Sequence, residues 1–330
     1  MMSQEVGTNP EELGYKRLES PEDFRQSFPE GILNGEFKGW KGFYKPNGAG
    51  WAHARKTIVS MYKEAERLGV KFVTGGEEGR VVSLIGEDGD IRGARTADGK
   101  EHRADRTILS AGATAPQLVD MKNQIRSTAW TLGHIQMTPE ETKAYKDLPV
   151  LFHLEQGFFI EPDEDANQLK ICDEHPGYCN WVTKPGAEFP TSMPFAKQQI
   201  PVQSERRIHE LLRTTMPQLA GRPLVHARLC WCADTRDRTF IITYHPTHPS
   251  LVIASGDTGS GFSSVPAIGQ FIVDCMEGSL EPRFARLWRW RPEIAQGFWG
   301  EEVLGRTGAD WKVIDLQKAA AEGWTHIGEE

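Results

Sequence analysis

The first third of the chain shows a helical pattern of apolar residues and then strand-like runs separated by glycine turns. Between Gly48 and Gly69, apolar residues recur at three- and four-residue steps, as on one face of an amphipathic helix that ends at glycine. These positions are Trp51, Ala54, Ile58, Met61, Ala65 and Leu68. The pattern predicts a helix whose apolar face packs on a sheet.

The next segments predict the strands of that sheet. Strand-like runs occupy residues 71–74, 80–85, 91–96 and 106–110, with Asp-Gly turns between them at 87–90 and 97–100. The last run leads into Ala111 and Gly112, where small residues let a ligand or another backbone segment approach closely. Two interpretations stay open: a strand end that faces a ligand, or a tight turn packed on its own helix.

From Trp130 the pattern changes to short strand-like runs with Pro and Gly between them, which predicts a mainly antiparallel second domain. These runs lie at 150–154, 157–160 and 169–172. A helix is predicted over 204–216, with Ile208, Leu211 and Leu212 facing inward. Later runs at 224–231, 240–243 and 251–254 are expected to rejoin the first sheet.

Composition narrows the class of protein. The 330 residues, 38% of them hydrophobic, suffice for a sizeable core, and the formal charge of −8 repels nucleic acid. No apolar run approaches a membrane span, and the N-terminus has no signal-peptide pattern, so a soluble cytoplasmic protein is expected. Five cysteines are too few and too irregular for a secreted disulfide framework.

Candidate metal ligands are weak. Cys172, His175 and Cys179 lie close together in sequence, but their spacing fits no standard zinc pattern. We therefore expect no metal site.

A glycine-rich loop follows the strand run at 251–255. It has the sequence Gly256-Asp-Thr-Gly-Ser-Gly-Phe262 and leads into a helical stretch over 268–276, whose start is marked by Pro266. Backbone N–H groups at a helix N-terminus suit an anion or an electron-rich ring carbonyl. The spacing is not G-x-G-x-x-G, and that motif occurs nowhere in the chain.

Three motifs in order make the pattern specific. They are Cys230-Trp-Cys-Ala-Asp-Thr235, Phe240-Ile-Ile-Thr-Tyr-His-Pro246 and the loop from Gly256 to Phe262. In this order they resemble the fungal fructosyl amino acid oxidases, or amadoriases, of the monomeric sarcosine oxidase superfamily. Further similar stretches begin at Gly39, Gly48, Gly69, Thr128 and Lys170, so the resemblance covers nearly the whole chain.

The resemblance implies an activity and a fold. The activity is FAD-dependent oxidation of the secondary amine of fructosyl amino acids, with O2 reduced to H2O2 and the imine hydrolysed to glucosone and free amino acid. The fold is α/β (α+β), of the glutathione-reductase-like or D-amino-acid-oxidase-like type. It is expected to combine an incomplete FAD domain (48–125 and 224–290) with an antiparallel-sheet substrate domain (1–47 and 126–223). Residues 291–330 are expected to pack on the FAD domain, and the complete protein is expected to be a monomer.

The resemblance also implies roles for individual residues. Cys230 matches the cysteine that bonds covalently to the flavin, although a strand cysteine can also be simple core packing. Lys170 matches the lysine over the flavin that promotes O2 reduction; its alternation with Leu169 and Ile171 is equally that of an exposed lysine. Glu174 matches an acidic residue that contacts the substrate.

The remaining residues expected to contact the cofactor or the substrate are mostly glycines and other small residues. Ala111, Gly112, Gly256, Thr258, Gly259, Gly261 and Phe262 are expected at the cofactor, with Thr258 and Ser263 towards the substrate. Ser263 replaces the lysine that binds the substrate carboxylate in sarcosine oxidase. Thr243 and Ser260 also depart from the pattern of the relatives.

The larger departure is at the start of the chain, because relatives have a phosphate-binding G-x-G-x-x-G unit before the part that matches Met1 onward. An N-terminally truncated chain is therefore expected. Two alternatives to an amadoriase stay open: a catalytically inactive relic or binding protein, and a sarcosine- or pipecolate-type amine oxidase.

Overall fold

The computed structural model describes residues 9–174, 176–256, 259, 261–300 and 312–327. The strands are β1 (Lys16–Leu18), β2 (Gly42–Tyr44), β3 (Val81–Glu87), β4 (Asp90–Thr96), β5 (Glu101–Arg103), β6 (Thr107–Leu109), β7 (Arg126–Gln136), β8 (Leu151–His153), β9 (Gly157–Phe159), β10 (Gln168–Asp173), β11 (Tyr178–Cys179), β12 (Trp181–Val182), β13 (Thr191–Ser192), β14 (Leu224–Asp234), β15 (Ile241–His245), β16 (His248–Ser255) and β17 (Ile314–Asp315).

The helices are α1 (Pro21–Gln26), α2 (Ala54–Arg67), α3 (Ala115–Leu118), α4 (Pro139–Ala144), α5 (Val202–Thr215), α6 (Val265–Glu277), α7 (Pro282–Leu287) and α8 (Leu316–Ala319). Short 3-10 turns lie at Pro10–Leu13, Gly112–Thr114, Pro217–Leu219, Gly261–Ser264, Pro292–Ala295 and Ala320–Glu322. The predicted helices over 204–216 and 268–276 are therefore confirmed as α5 and α6.

The larger sheet is built around the long strand β7. Its order is β17-β11-β7-β10-β9-β8, and β14 also pairs with β7. Strands β10, β11 and β14 all run antiparallel to β7, which confirms the prediction of mainly antiparallel pairing from Trp130 onward. Because β10 and β14 flank the same strand, residues far apart in sequence share one face.

One face of this sheet is covered by α5. Leu169 and Ile171 of β10 and Ile208 and Leu212 of α5 are completely buried there. Gly133 of β7 lies under this helix, where an added Cβ would lie 3.3 Å from the side chain of Ile208 in α5 and 2.8 Å from that of Leu224 in β14. Close packing of helix on sheet thus fixes which face remains open.

Two three-stranded sheets lie apart from the larger sheet. One has the order β15-β16-β6, with β6 parallel to β16, and the other is the antiparallel meander β3-β4-β5. A second, smaller core lies here, containing Ile91, Leu109, Met121, Ile241, Leu251 and Ile253 among others.

The structure differs from the sequence-based expectations at several elements. Residues 71–74 form no strand, and α2 buries none of its residues, so the predicted packing of this helix on a sheet is wrong. Strand β14 pairs with β7 rather than rejoining the first sheet. Towards the C-terminus, β17 pairs with β11, and Leu316 lies in the larger core, on the side assigned to the substrate domain. The domain boundaries themselves stay a prediction.

Within the part of the chain that the structure describes, no helix has the length and apolar character needed to cross a membrane.

Candidate active site

Cys230 lies on the open face of the larger sheet. In β14, Ala227, Leu229 and Ala233 are buried, whereas Arg228 and Cys230 between them are exposed. Cys230 pairs in register with Trp130 of β7, which is half-buried. The alternation of side chains along a strand therefore turns the Cys230 thiol away from α5 and towards the open face.

Lys170 lies on the same face, on the other side of β7. It pairs in register with His134, and its neighbours Leu169 and Ile171 point into the core. Residues Trp130 and His134 share one face of β7 because their separation is even. The side chains of Lys170 and Cys230 therefore lie on the same face of the sheet, as the resemblance requires. The two residues are 60 positions apart in sequence.

Cys172 lies between these two residues. It pairs with Leu132 and is buried. Burial raises the pKa of its thiol to about 12, and the charges of Lys170, Asp173, Cys230 and Glu174 act on it as well. This thiol therefore stays protonated, and its surroundings contain all three of the residues predicted to carry the chemistry.

Glu174 follows the last residue of β10 and is buried, only 6% exposed. Its backbone N–H donates to the carbonyl of Gln156 at 3.2 Å. The preceding residue, Asp173, is held on the opposite face by Arg207, whose Nε donates to Oδ2 at 2.8 Å, and by the hydroxyl of Thr131. Contacts of Asp173 on the opposite face thus fix the end of β10, and with it the position of the Glu174 backbone.

The two glycine turns predicted from sequence come together in space. Because β6 and β16 are parallel, their carboxyl ends lie at the same edge of the sheet, with Ile253 opposite Leu109. Ser255 Oγ, beside Gly256, donates to the carbonyl of Gly112 at 3.3 Å. Gly112 and Gly256 both have left-handed backbone conformations, at φ 52° and 84°. Ligands of open α/β sheets bind at such an edge.

The turn at Gly112 also contacts the larger sheet. Ser127 Oγ of β7 donates to the carbonyl of Ala113 at 2.7 Å. The sheet edge that carries Gly112 is therefore attached to β7, the strand that lies between Cys230 and Lys170.

The rest of the predicted loop is placed only in part. Thr258 and Ser260 lie outside the described residues, as does His175. Gly261, Phe262 and Ser263 form a 3-10 turn directly before α6, and Phe262 is 36% exposed. Among the described residues, no group of three or more His, Cys, Asp or Glu side chains is placed to hold a metal ion.

Sequence reasoning missed three residues on the open face: His134, His226 and Arg228. They stand at even spacing from Trp130 and Cys230, so strand alternation alone was enough to place them beside the predicted site. What the sequence lacked was the pairing of β14 with β7, because the two strands were assigned to different sheets.

Comparison with known proteins identifies the family. Residues 3–275 match the family model described as FAD dependent oxidoreductase. L-saccharopine oxidase of Schizosaccharomyces pombe is 27% identical over 290 residues, which cover 84% of this chain and 66% of that protein. This chain therefore spans a little under two thirds of the saccharopine oxidase.

Solved structures give higher identity. Fructosyl amine:oxygen oxidoreductase (amadoriase I) of Aspergillus fumigatus is 53% identical with a TM-score of 0.91, covering 96% of this chain and 72% of that one. The fructosamine oxidase amadoriase II of the same organism, in complex with FSA, is 50% identical with a TM-score of 0.92, covering 97% and 73%. The chain belongs to the FAD-dependent oxidoreductases, within the group of fungal fructosyl amine oxidases known as amadoriases.

Proposed function

We propose that this chain carries the flavin-tethering and substrate-facing part of an enzyme that oxidises the secondary amine of fructosyl amino acids with FAD and O2. The observation that carries the proposal is the shared open face of Cys230 and Lys170, with Cys172 and buried Glu174 beside them. The two solved relatives named above are a fructosyl amine:oxygen oxidoreductase and a fructosamine oxidase.

The residues present fit a flavin. An exposed thiol on a rigid strand can reach the edge of a ring laid on the open face, and the sheet beneath it offers the half-buried Trp130 and the buried Leu132. The strand end at Gly112 lets a ligand approach the backbone closely, because an added Cβ there would meet nothing of the described chain within 4 Å, whereas Gly256 packs against Thr239 and Ile241 of the chain itself. When bound, FAD supplies the hydride acceptor for amine oxidation and passes the electrons to O2.

Lys170 would hold a positive charge where O2 is reduced. Lys170 is half-buried, and an opposite charge that develops near its side chain is stabilised more strongly there than in bulk water. The rigid partners on either side, Leu169 and Ile171, are fully buried and fix its direction.

Glu174 would bind the substrate. A buried carboxylate accepts hydrogen bonds from sugar hydroxyls or from an ammonium, and these charge-assisted bonds are stronger than neutral ones. The ion pair between Arg207 and Asp173 fixes the end of β10, which Glu174 directly follows.

An absorbance spectrum tests the flavin. We expect the purified chain, supplied with FAD, to gain a flavin spectrum that stays with the protein after denaturation. Cys230→Ser should lose that retention. Cys275→Ser in α6 is the matched control, whose thiol donates to the carbonyl of Ile242 in β15, and it should keep the retention. A chain that stays colourless with FAD contradicts the proposal and favours the binding or relic alternative.

Peroxide release tests the reaction. With fructosyl-valine or fructosyl-lysine we expect H2O2, and Lys170→Met should slow flavin reoxidation by O2 by about a hundredfold while leaving flavin reduction by the amine nearly unchanged. Lys143→Met, in α4, is the matched control. Equal reoxidation rates in both variants would remove the assigned role of Lys170.

The substrate profile separates the second candidate. The saccharopine oxidase relative is named for a secondary amine that is not a sugar adduct, so saccharopine, sarcosine and pipecolate belong in the same assay. Ser263 lacks the cation that would anchor a small carboxylate, so we expect the fructosyl substrates to be preferred. The covalent link, the monomeric state and the cytoplasmic location are parts of the same proposal, checked by mass spectrometry, light scattering and cell fractionation.

A further inference from the structure

The sequence contains two Asn-Gly pairs, Asn34-Gly35 and Asn47-Gly48. An asparagine that precedes glycine can react with its own main chain, because glycine has no Cβ to hinder the approach of its backbone nitrogen to the side-chain amide carbon. The other asparagines precede proline, which has no N–H, or the bulkier glutamine and tryptophan. The two Asn-Gly pairs are therefore the positions at which the fold decides how fast this reaction proceeds.

The first pair is held on both sides of the atoms that would react. Asn34 Nδ2 donates to the carbonyl of Gly31 at 2.8 Å. The Gly35 N–H, the group that would attack, donates to the carbonyl of Thr215 at 3.0 Å. Gly35 is buried, and its own carbonyl accepts from Arg25 Nη2 at 2.8 Å. An added Cβ there would lie only 1.8 Å from a backbone oxygen of α5, so this segment packs directly on the helix. Reaction at Asn34 would first require these contacts to open.

The second pair is open. Asn47 and Gly48 are both exposed, in the loop between β2 and α2. Among the described residues, none forms a hydrogen bond with the Asn47 side chain or with the Gly48 N–H. An added Cβ at Gly48 would approach only the flexible end of the Lys45 side chain, at 4.0 Å. No hydrogen bond of the described chain therefore has to break before the Gly48 nitrogen can approach the Asn47 side chain.

We propose that Asn47 is a site of spontaneous deamidation, and that the contacts of Gly35 protect Asn34 from the same reaction. The Gly48 nitrogen bonds to Cγ of Asn47, the side-chain nitrogen leaves with the Gly48 proton as ammonia, and a five-membered succinimide forms. Water then opens one of the two C–N bonds of the ring, which yields aspartate or isoaspartate. Water is the only co-reactant, so the modification depends neither on a flavin nor on the proposed oxidase activity.

The products differ from the parent chain in two measurable ways. Both add one negative charge to a chain whose formal charge is already −8. Isoaspartate also carries the main chain through the former side chain, which lengthens the backbone of the loop by one methylene group. Anion exchange therefore separates the products from the parent chain, and peptide fragmentation distinguishes isoaspartate from aspartate.

The test is peptide mapping by mass spectrometry after incubation of the purified chain in warm, mildly alkaline buffer. We expect a gain of one mass unit in the peptide that contains Asn47, at a rate about tenfold or more above that at Asn34, because Asn34 reacts only from an opened state. In concentrated urea the two rates should approach each other, since each asparagine is then followed by an unprotected glycine.

Variants assign the modified position. Asn47→Gln should abolish the early acidic form, because glutamine would have to form a six-membered ring. Asn34→Gln is the matched control and should leave that form unchanged, and thermal unfolding confirms that both variants are folded. Equal rates at Asn34 and Asn47 in the folded chain would overturn the proposal, as would a folded chain that keeps the Asn47 amide while urea releases it. A rate difference that persists in urea would show that the contacts of Gly35 give no protection.

Discussion

At the scale of single residues, the pair Glu141–Arg222 shows how an ion pair couples stability to pH. Arg222 Nη1 donates to Glu141 Oε2 at 2.8 Å, and Nη2 donates to Oε1. Together with the backbone N–H of Thr138, the guanidinium lowers the pKa of Glu141 to about 2. A carboxyl whose pKa is lowered on folding stabilises the protein above its ordinary value of 4.5, and this contribution is lost as the pH falls towards 2.

Glu141→Gln should therefore lower the free energy of unfolding at pH 7 by about 1–2 kcal/mol, a modest value because both side chains are about one third exposed. The difference from the unchanged protein should shrink at pH values below 4.5. Urea denaturation at several pH values measures it, with the neighbouring Glu140→Gln as control. An equal loss at every pH would show that the carboxylate charge plays no part.

A second residue-scale prediction concerns Asp173, whose side chain is fully buried. Asp173→Asn removes the charge that Arg207 Nε contacts at 2.8 Å and leaves the guanidinium with weaker partners. We expect a loss of about 2–4 kcal/mol in stability, because one buried charge of a pair is deleted. The double variant with Arg207→Met should recover part of the loss; if it loses as much as the sum of the single variants, the two residues are not coupled.

Residues of the candidate site could be predicted from the sequence where they belong to a recognisable motif. Cys230, Lys170 and Glu174 came from sequence order and resemblance, and the structure brings them into one neighbourhood. His134 and Arg228 have no motif, and their place follows only from the register of β14 on β7. Register depends on contacts between distant segments, which local patterns do not contain.

At the scale of elements, α2 and α5 make a natural comparison. Both have 14 residues and an apolar stripe, yet α5 buries Ile208, Leu211 and Leu212 completely, whereas in α2 Ile58 is 51% and Met61 45% exposed. Periodicity predicted both helices and could not tell which face would find a partner. Amphipathicity reports what a helix can bury and not what is there to cover it.

Substitutions should separate the two helices. Ile58→Gln and Met61→Gln should change the free energy of unfolding by less than about 0.5 kcal/mol, because little apolar area returns to water. Ile208→Ala or Leu212→Ala should cost about 2–5 kcal/mol through lost burial and the cavity left behind. Denaturant unfolding of the four variants measures these changes. A large loss of unfolding free energy in Ile58→Gln would mean that α2 is covered in solution.

At the scale of the whole molecule, stability is expected to be uneven. The larger core joins β7, β10, β11, α5 and α8, whereas the smaller core lies between β4, β6, β15 and β16, and Trp231 of β14 packs against both. Opening of a region costs free energy in proportion to the packing that it gives up. The free energy of opening is therefore expected to be highest for β7 and α5, and lowest for α2 and the β3–β5 meander.

Hydrogen exchange followed by mass spectrometry measures this gradient. Backbone amides of β7 and of α5 should exchange last, those of β15 and β16 earlier, and those of α2 first, because α2 has hydrogen bonds of its own but no buried side chain. Ile208→Ala should speed exchange in β7 and α5 while leaving α2 unchanged. If α2 proved as slow as α5, an apolar partner would have to cover Ile58 and Met61. The same data would then locate that partner, because any segment protected only together with α2 must pack on it.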